Sequence, residues 1–153
     1  MGIKIARGAL IAALYIVLCV VLQPISYGVI QIRFAESLTL LPMLFFEAVP
    51  GLFLGALVAN ILGPLGLIDV VGGSLATLVA AYLTYYFRDT IIGYFSPVVV
   101  NAVFVSLYLH LIFKWPYWAT VLSIGLSEAL VVFTLGHLMV KSLRYYIKTG
   151  RFY

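Results

Sequence analysis

Apolar runs of about the length that crosses a bilayer follow one another through this chain almost without linkers. A helix needs roughly 20 apolar residues to span the hydrocarbon core, whereas a barrel strand alternates polar and apolar residues, so these runs predict a helical bundle rather than a barrel. The composition agrees: 65% of the 153 residues are hydrophobic and 9% are charged, against about a quarter charged in soluble domains. The expected fold is an all-α integral membrane protein, one domain over residues 1–153 built as a compact bundle of six transmembrane helices. Cys19 lies inside the first apolar run, where it forms no internal disulfide and packs as a small hydrophobe. That run follows Lys4 and Arg7 as a signal peptide would, but it is too long and lacks a small-residue cleavage pattern, so it reads as a retained helix.

Helices are expected over 3–22, 70–87, 91–113 and 119–147. The segment between the first two is less regular. A single span over 37–62 would bury Glu47 near the bilayer centre, at a cost of about 3 kcal/mol, and would carry Pro42 and Pro50 inside it. Two shorter helices leave Glu47 at a turn and give Pro50 the first helical position, where its missing N–H costs nothing. The first of these is expected to begin around 34–36 and to fall short of full depth. Six spans put Lys4, Arg7, Arg88, Lys141, Arg144, Lys148 and Arg151 on one side and leave only Arg33 and Lys114 on the other. The positive-inside rule makes the first side cytoplasmic, with both termini there. The net charge of +4 therefore reports membrane orientation, and gives no reason to expect a nucleic-acid partner.

Polar side chains gather between apolar runs in one place, residues 23–42 (QPISYGVIQIRFAESLTLLP). Tyr27, Gln31, Arg33 and Glu36 supply an aromatic face, donors and acceptors from one short segment, either as an interfacial anchor or as a polar binding surface. The topology places it outside, as a lid and entrance, with Arg33 and Glu36 as a pair fixing the loop. Within the helices, ionisable and amide groups are costly and point to function. Asn101 lies thirteen residues before Lys114 and Glu128 fourteen residues after it, so at about 1.5 Å per residue they reach the same depth. Asn60 and Asp69 approach that region from outside. Asp69 also reads as a helix cap, satisfying free N–H groups. Pro97, Asn101, Val105 and Tyr108 follow helical spacing, which aligns an amide and a phenol on one face. A carboxylate, amides and an aromatic ring suit a purine-like ligand: the carboxylate accepts paired N–H donors, an amide meets a carbonyl, and Tyr27 or Tyr108 stacks. The competing reading makes Asn101 and Glu128 structural hydrogen-bonding partners. His110 and His137 sit near opposite interfaces and read as anchors.

Catalytic patterns are scarce. No Gly-Lys pair occurs, which excludes a Walker A loop, and a single cysteine excludes most structural zinc patterns. Gly125, Leu126 and Ser127 begin an intramembrane serine-protease pattern that Glu128 breaks, and His137 is about 15 Å away along the same helix. The chain is not expected to be an enzyme, nor to hold a metal or cofactor. The first helix carries small residues at Ala6, Gly8, Ala9, Ala12 and Ala13. In lipid, such faces drive close helix association, inside the bundle or with a partner.

The blocks ARGALIAALY (6–15), PISYGVIQIRFAESLTLLP (24–42), EAVPGLFLGALVANILG (47–63) and DVVGGSLATLVAAYLTY (69–85) resemble the QueT-type substrate-binding S components of energy-coupling factor transporters. The resemblance covers nearly the whole chain in order, and the second block is its most specific part. It implies a six-helix subunit in a prokaryotic cell membrane that captures a queuosine precursor from outside. The ligand would be a 7-deazaguanine, such as the aminomethyl or cyano precursor or queuine. The subunit would then dock through the Ala9 and Ala13 face on a transmembrane coupling subunit driven by two ATPases, which consume the ATP. A stand-alone facilitator for a nucleobase-like compound and a structural membrane protein are the alternatives.

Overall fold

The computed structural model describes residues 1–23 and 32–150, and among these the chain is helical without strands. Tyr27 and Gln31 lie outside the described residues. Helix α1 covers Gly2–Val21, and a 3₁₀ helix covers Phe34–Met43. Helix α2 is Ala48–Leu62, and α3 is a π turn, Asp69–Gly73, that runs into Ser74–Tyr86. Helix α4 is Ile92–Phe113. Helix α5, Tyr117–Lys148, contains a second π turn at Val132–Gly136. By length and composition α1, α4 and α5 can each cross a membrane, while α2 is apolar but shorter. The expected element order therefore holds, with ends shifted by a few residues.

Arg33 precedes and Glu36 opens the 3₁₀ helix, and residues Ala35 to Met43 of it are all buried. Ten residues at about 2.0 Å each give roughly 20 Å, short of a roughly 30 Å hydrocarbon core, in keeping with the shallow segment expected from the prolines. It packs against every other helix, so it forms the axis of the bundle. Its middle meets α5 at the second π turn, where Gly136 lies so close that an added Cβ would sit 3.0 Å from Leu40 Cδ1 and 3.2 Å from the Ser37 carbonyl. Apolar clusters surround this axis. Ile11, Tyr15, Leu38, Leu52 and Ala81 pack on one side of it, and Ala80, Val105, Leu109 and Ile124 join α3, α4 and α5 on another.

Glu47 sits in the turn before α2, as expected, where its Oε1 accepts from Arg7 NH1 at 2.8 Å. The guanidinium also lies 4.3 Å from the centre of the Phe45 ring. Because α2 starts at Ala48, Pro50 is its third residue rather than its first. The correction is physically minor, since the first four helical N–H groups have no partner within the helix.

Small residues let α1 and α2 touch backbone to backbone. A Cβ on Gly51 would fall 2.6 Å from the Gly8 carbonyl oxygen, and one on Gly55 would fall 2.9 Å from Tyr15 Cβ and 3.1 Å from the Ala12 carbonyl oxygen. The small-residue face of α1 is thus divided. Gly8 and Ala12 are used inside the bundle, while Ala9 and Ala13 are exposed. Gly51→Val is expected to destabilise the protein by about 1–3 kcal/mol through overpacking, and Ala9→Val to stay within about 0.5 kcal/mol of the parent. Thermal unfolding of the two variants in detergent checks this; equal effects would contradict the division.

Candidate functional site

Three costly buried side chains from three elements converge beside the axis. The Asn101 amide of α4 donates to Glu128 Oε1 of α5 at 2.8 Å, and more weakly to Glu36 Oε2 of the 3₁₀ helix at 3.4 Å. The equal-depth argument therefore brings Asn101 and Glu128 together, and the first turn of the 3₁₀ helix adds Glu36. All three are at most 6% exposed. The other Glu36 oxygen, Oε1, accepts the Tyr15 hydroxyl of α1 at 2.5 Å. Arg33, Glu36, Asn101, Val105, Ile124 and Glu128 line a small cavity of about 10 Å³. A ring-sized ligand enters only if these walls part.

A second cluster lies next to the first and shares Arg33 with it. Arg33 NH2 stands 3.7 Å from Asp69 Oδ2, and the Tyr108 hydroxyl donates to Asp69 Oδ1. The Asn60 side chain donates to the Asp69 carbonyl at 2.9 Å. Gly73, one turn on from Asp69, leaves room for this arrangement. A Cβ there would lie 2.7 Å from Asn60 Nδ2 and 2.9 Å from Asp69 Oδ1. The π turn widens the backbone at this point, a distortion often found at functional sites.

Seven of the expected site residues, Arg33, Glu36, Asn60, Asp69, Asn101, Tyr108 and Glu128, are thereby assembled in two adjoining clusters. Two expectations need correction. Asp69 makes no side-chain cap bond to its helix; it is fully buried and its carboxylate is taken by Arg33 and Tyr108 instead. The ion pair of Arg33 is made with Asp69 across the bundle, and Glu36 three residues along turns to Tyr15 and Asn101 instead. Arg33 stands before the 3₁₀ helix in extended backbone, at φ −94° and ψ 97°, so the two side chains do not share a helical face. Tyr108 contributes its hydroxyl to Asp69, while its ring covers Gly72 on the outer side of α3, where a Cβ would meet Tyr108 Cδ1 at 3.2 Å.

Tyr15 was missed by sequence reasoning. It is 1% exposed and shares the buried stripe Ile11, Tyr15, Cys19 of α1. The available signal was a phenol at i+4 spacing on the inward face of an otherwise apolar helix, since such a hydroxyl must find a partner in lipid. Other polar side chains serve as anchors or as local backbone partners, while the Thr84 and Ser106 hydroxyls are buried without a hydrogen bond among the described residues. His110 is exposed, with Nδ1 2.6 Å from the Trp115 carbonyl oxygen. The Ser127 hydroxyl donates to the Ser123 carbonyl one turn back.

Chemically the site combines acceptors, the carboxylates of Glu36, Glu128 and Asp69, with donors on two amides, two phenols and one guanidinium. It can orient a ligand that presents several N–H groups. No curated protein and no solved structure matches the chain. The QueT transporter family model does match, over residues 5–145, which takes in every residue of the two clusters. The helices, the polar centre and this match agree: the chain is a membrane transport protein and belongs to the QueT transporter family.

Proposed function

We propose that the chain is the substrate-capture subunit of an energy-coupling factor importer. It binds a queuosine precursor of the 7-deazaguanine type from outside the cell. The reading is carried by the Glu36, Asn101 and Glu128 constellation, where two carboxylates from different helices meet at one amide inside the bundle. A carboxylate matches the adjacent ring N–H and exocyclic amino group of a guanine-type edge, and an amide N–H matches its carbonyl. Buried acceptors of this kind reject analogues that leave them unpaired. Of the other residues assigned to the ligand, Arg33, Asn60, Asp69 and Tyr108 brace the site from its outer side, and Tyr27 and Gln31 belong to the entrance.

In this proposal the chain forms one membrane domain with six spans in a prokaryotic plasma membrane, and both termini are cytoplasmic. It holds no cofactor. ATP is used by two partner ATPases, which act through a transmembrane coupling subunit. Ala9 and Ala13 are the docking surface for that subunit. They are small and exposed, while their neighbours Gly8 and Ala12 are already engaged by α2.

Calorimetric titration of the purified protein with 7-aminomethyl-7-deazaguanine tests the substrate. Binding is expected, and Glu128→Ala is expected to weaken it by roughly 10- to 100-fold, as for the loss of a hydrogen bond to a charged partner. No binding of any 7-deazaguanine overturns the substrate class; unchanged affinity in the variant overturns only the role of Glu128. Docking is tested separately. Ala9→Trp and Ala13→Trp are expected to abolish co-purification with the coupling subunit while the Kd for the ligand stays within about twofold of the parent, as for an exposed substitution. Retained co-purification contradicts the docking surface, and transport in cells that lack the coupling module favours a stand-alone facilitator.

A further inference from the structure

Tyr15 does not line the cavity between Arg33, Glu36, Asn101, Val105, Ile124 and Glu128, yet its hydroxyl makes the 2.5 Å contact that occupies Glu36 Oε1. A carboxylate on a flexible side chain presents either oxygen, or both, to a neighbour. Here one oxygen is taken from behind, and the other, Oε2, is turned toward Asn101 and the cavity. Glu36 is further held by its own backbone, whose carbonyl accepts the Thr39 hydroxyl at 2.6 Å. Tyr15 is in turn fixed where α1 meets α2, since its Cβ lies against Gly55.

We infer that Tyr15 is a positioning residue for ligand selectivity: by occupying Glu36 Oε1 it sets the direction in which Glu36 Oε2 faces the ligand. This rests on the proposed capture of a 7-deazaguanine. A directed single oxygen at Glu36 and a second carboxylate at Glu128 converge on the one Asn101 amide, so both face the same edge of a ligand held there. A Glu36 side chain freed from Tyr15 reorients and accepts whichever donor is offered. Selectivity then falls further than affinity does, because the loosened carboxylate still binds but no longer discriminates.

Two probes read this: 7-aminomethyl-7-deazaguanine and the same base without its exocyclic 2-amino group, each titrated calorimetrically against the full chain. The parent is expected to prefer the first by roughly tenfold or more, the worth of one hydrogen bond to a charged acceptor. Tyr15→Phe retains the Cβ packed against Gly55 and the ring, and is expected to reduce that preference to within about threefold, through loss of the hydroxyl alone. Because Tyr15 acts through Glu36, the change in preference caused by Tyr15→Phe should disappear in a Glu36→Gln background, the coupling that a double-mutant cycle isolates. A preference unchanged by Tyr15→Phe overturns the inference, and so does an equal change in both backgrounds. Failure of the parent to bind either base overturns the proposed substrate as well, so the two failures are told apart by the parent titration.

Discussion

Everything in this bundle is arranged around the cost of holding carboxylates out of water. An unpaired polar group in the hydrocarbon region costs several kcal/mol, and removing one partner of a buried charge pair costs about 3–5 kcal/mol. Glu36 is therefore engaged on both oxygens, by Tyr15 and Asn101. Asn101 is shared with Glu128. Asp69 accepts the Tyr108 hydroxyl at Oδ1, and its Oδ2, which accepts no hydrogen bond among the described residues, faces the Arg33 guanidinium at 3.7 Å. These bonds draw α1, the 3₁₀ helix, α4 and α5 to one point, with α2 and α3 joined through Asn60 and Asp69. The 3₁₀ helix is at the centre because a narrow segment carrying Glu36 in its first turn reaches all of these partners.

Such a network is costly to build and rewards only a ligand that satisfies it as completely as the protein does itself. On the proposed reading this is the basis of selectivity: internal hydrogen bonds would be exchanged for ligand hydrogen bonds of equal quality, and a compound that lacks one donor would leave an acceptor orphaned. The small size of the cavity fits this exchange, since Glu36, Asn101 and Glu128 in its walls are held together by the same groups that would hold the ligand.

Much of this was legible in the residues. Helix number and order followed from apolar length, and the turn at Glu47 followed from the cost of burying its carboxylate and from Pro50. The meeting of Asn101 and Glu128 followed from counting residues on either side of Lys114. What could not be read was rotation about each axis. The Arg33 to Glu36 spacing predicts a local pair on a helix, but Arg33 stands before the helix in extended backbone and its ion pair runs to Asp69. Local propensity makes Asp69 a helix cap, yet a π turn and Gly73 turn it inward to cross-bundle partners. Tyr15 was hidden for the same reason, since an aromatic residue in an apolar run shows its polar end only when the opposite helix is known.

The central claim is that the ligand binds where Glu36, Asn101 and Glu128 meet. Photolabelling with an azido derivative of 7-aminomethyl-7-deazaguanine, followed by peptide mapping, addresses it most directly. The account predicts label on the 3₁₀ helix Phe34–Met43 and on the middle of α4 and α5, suppressed by excess unlabelled base. Suppressible label confined to the Lys114 to Trp118 belt or to the basic end of α5, with none at the polar centre, would contradict it.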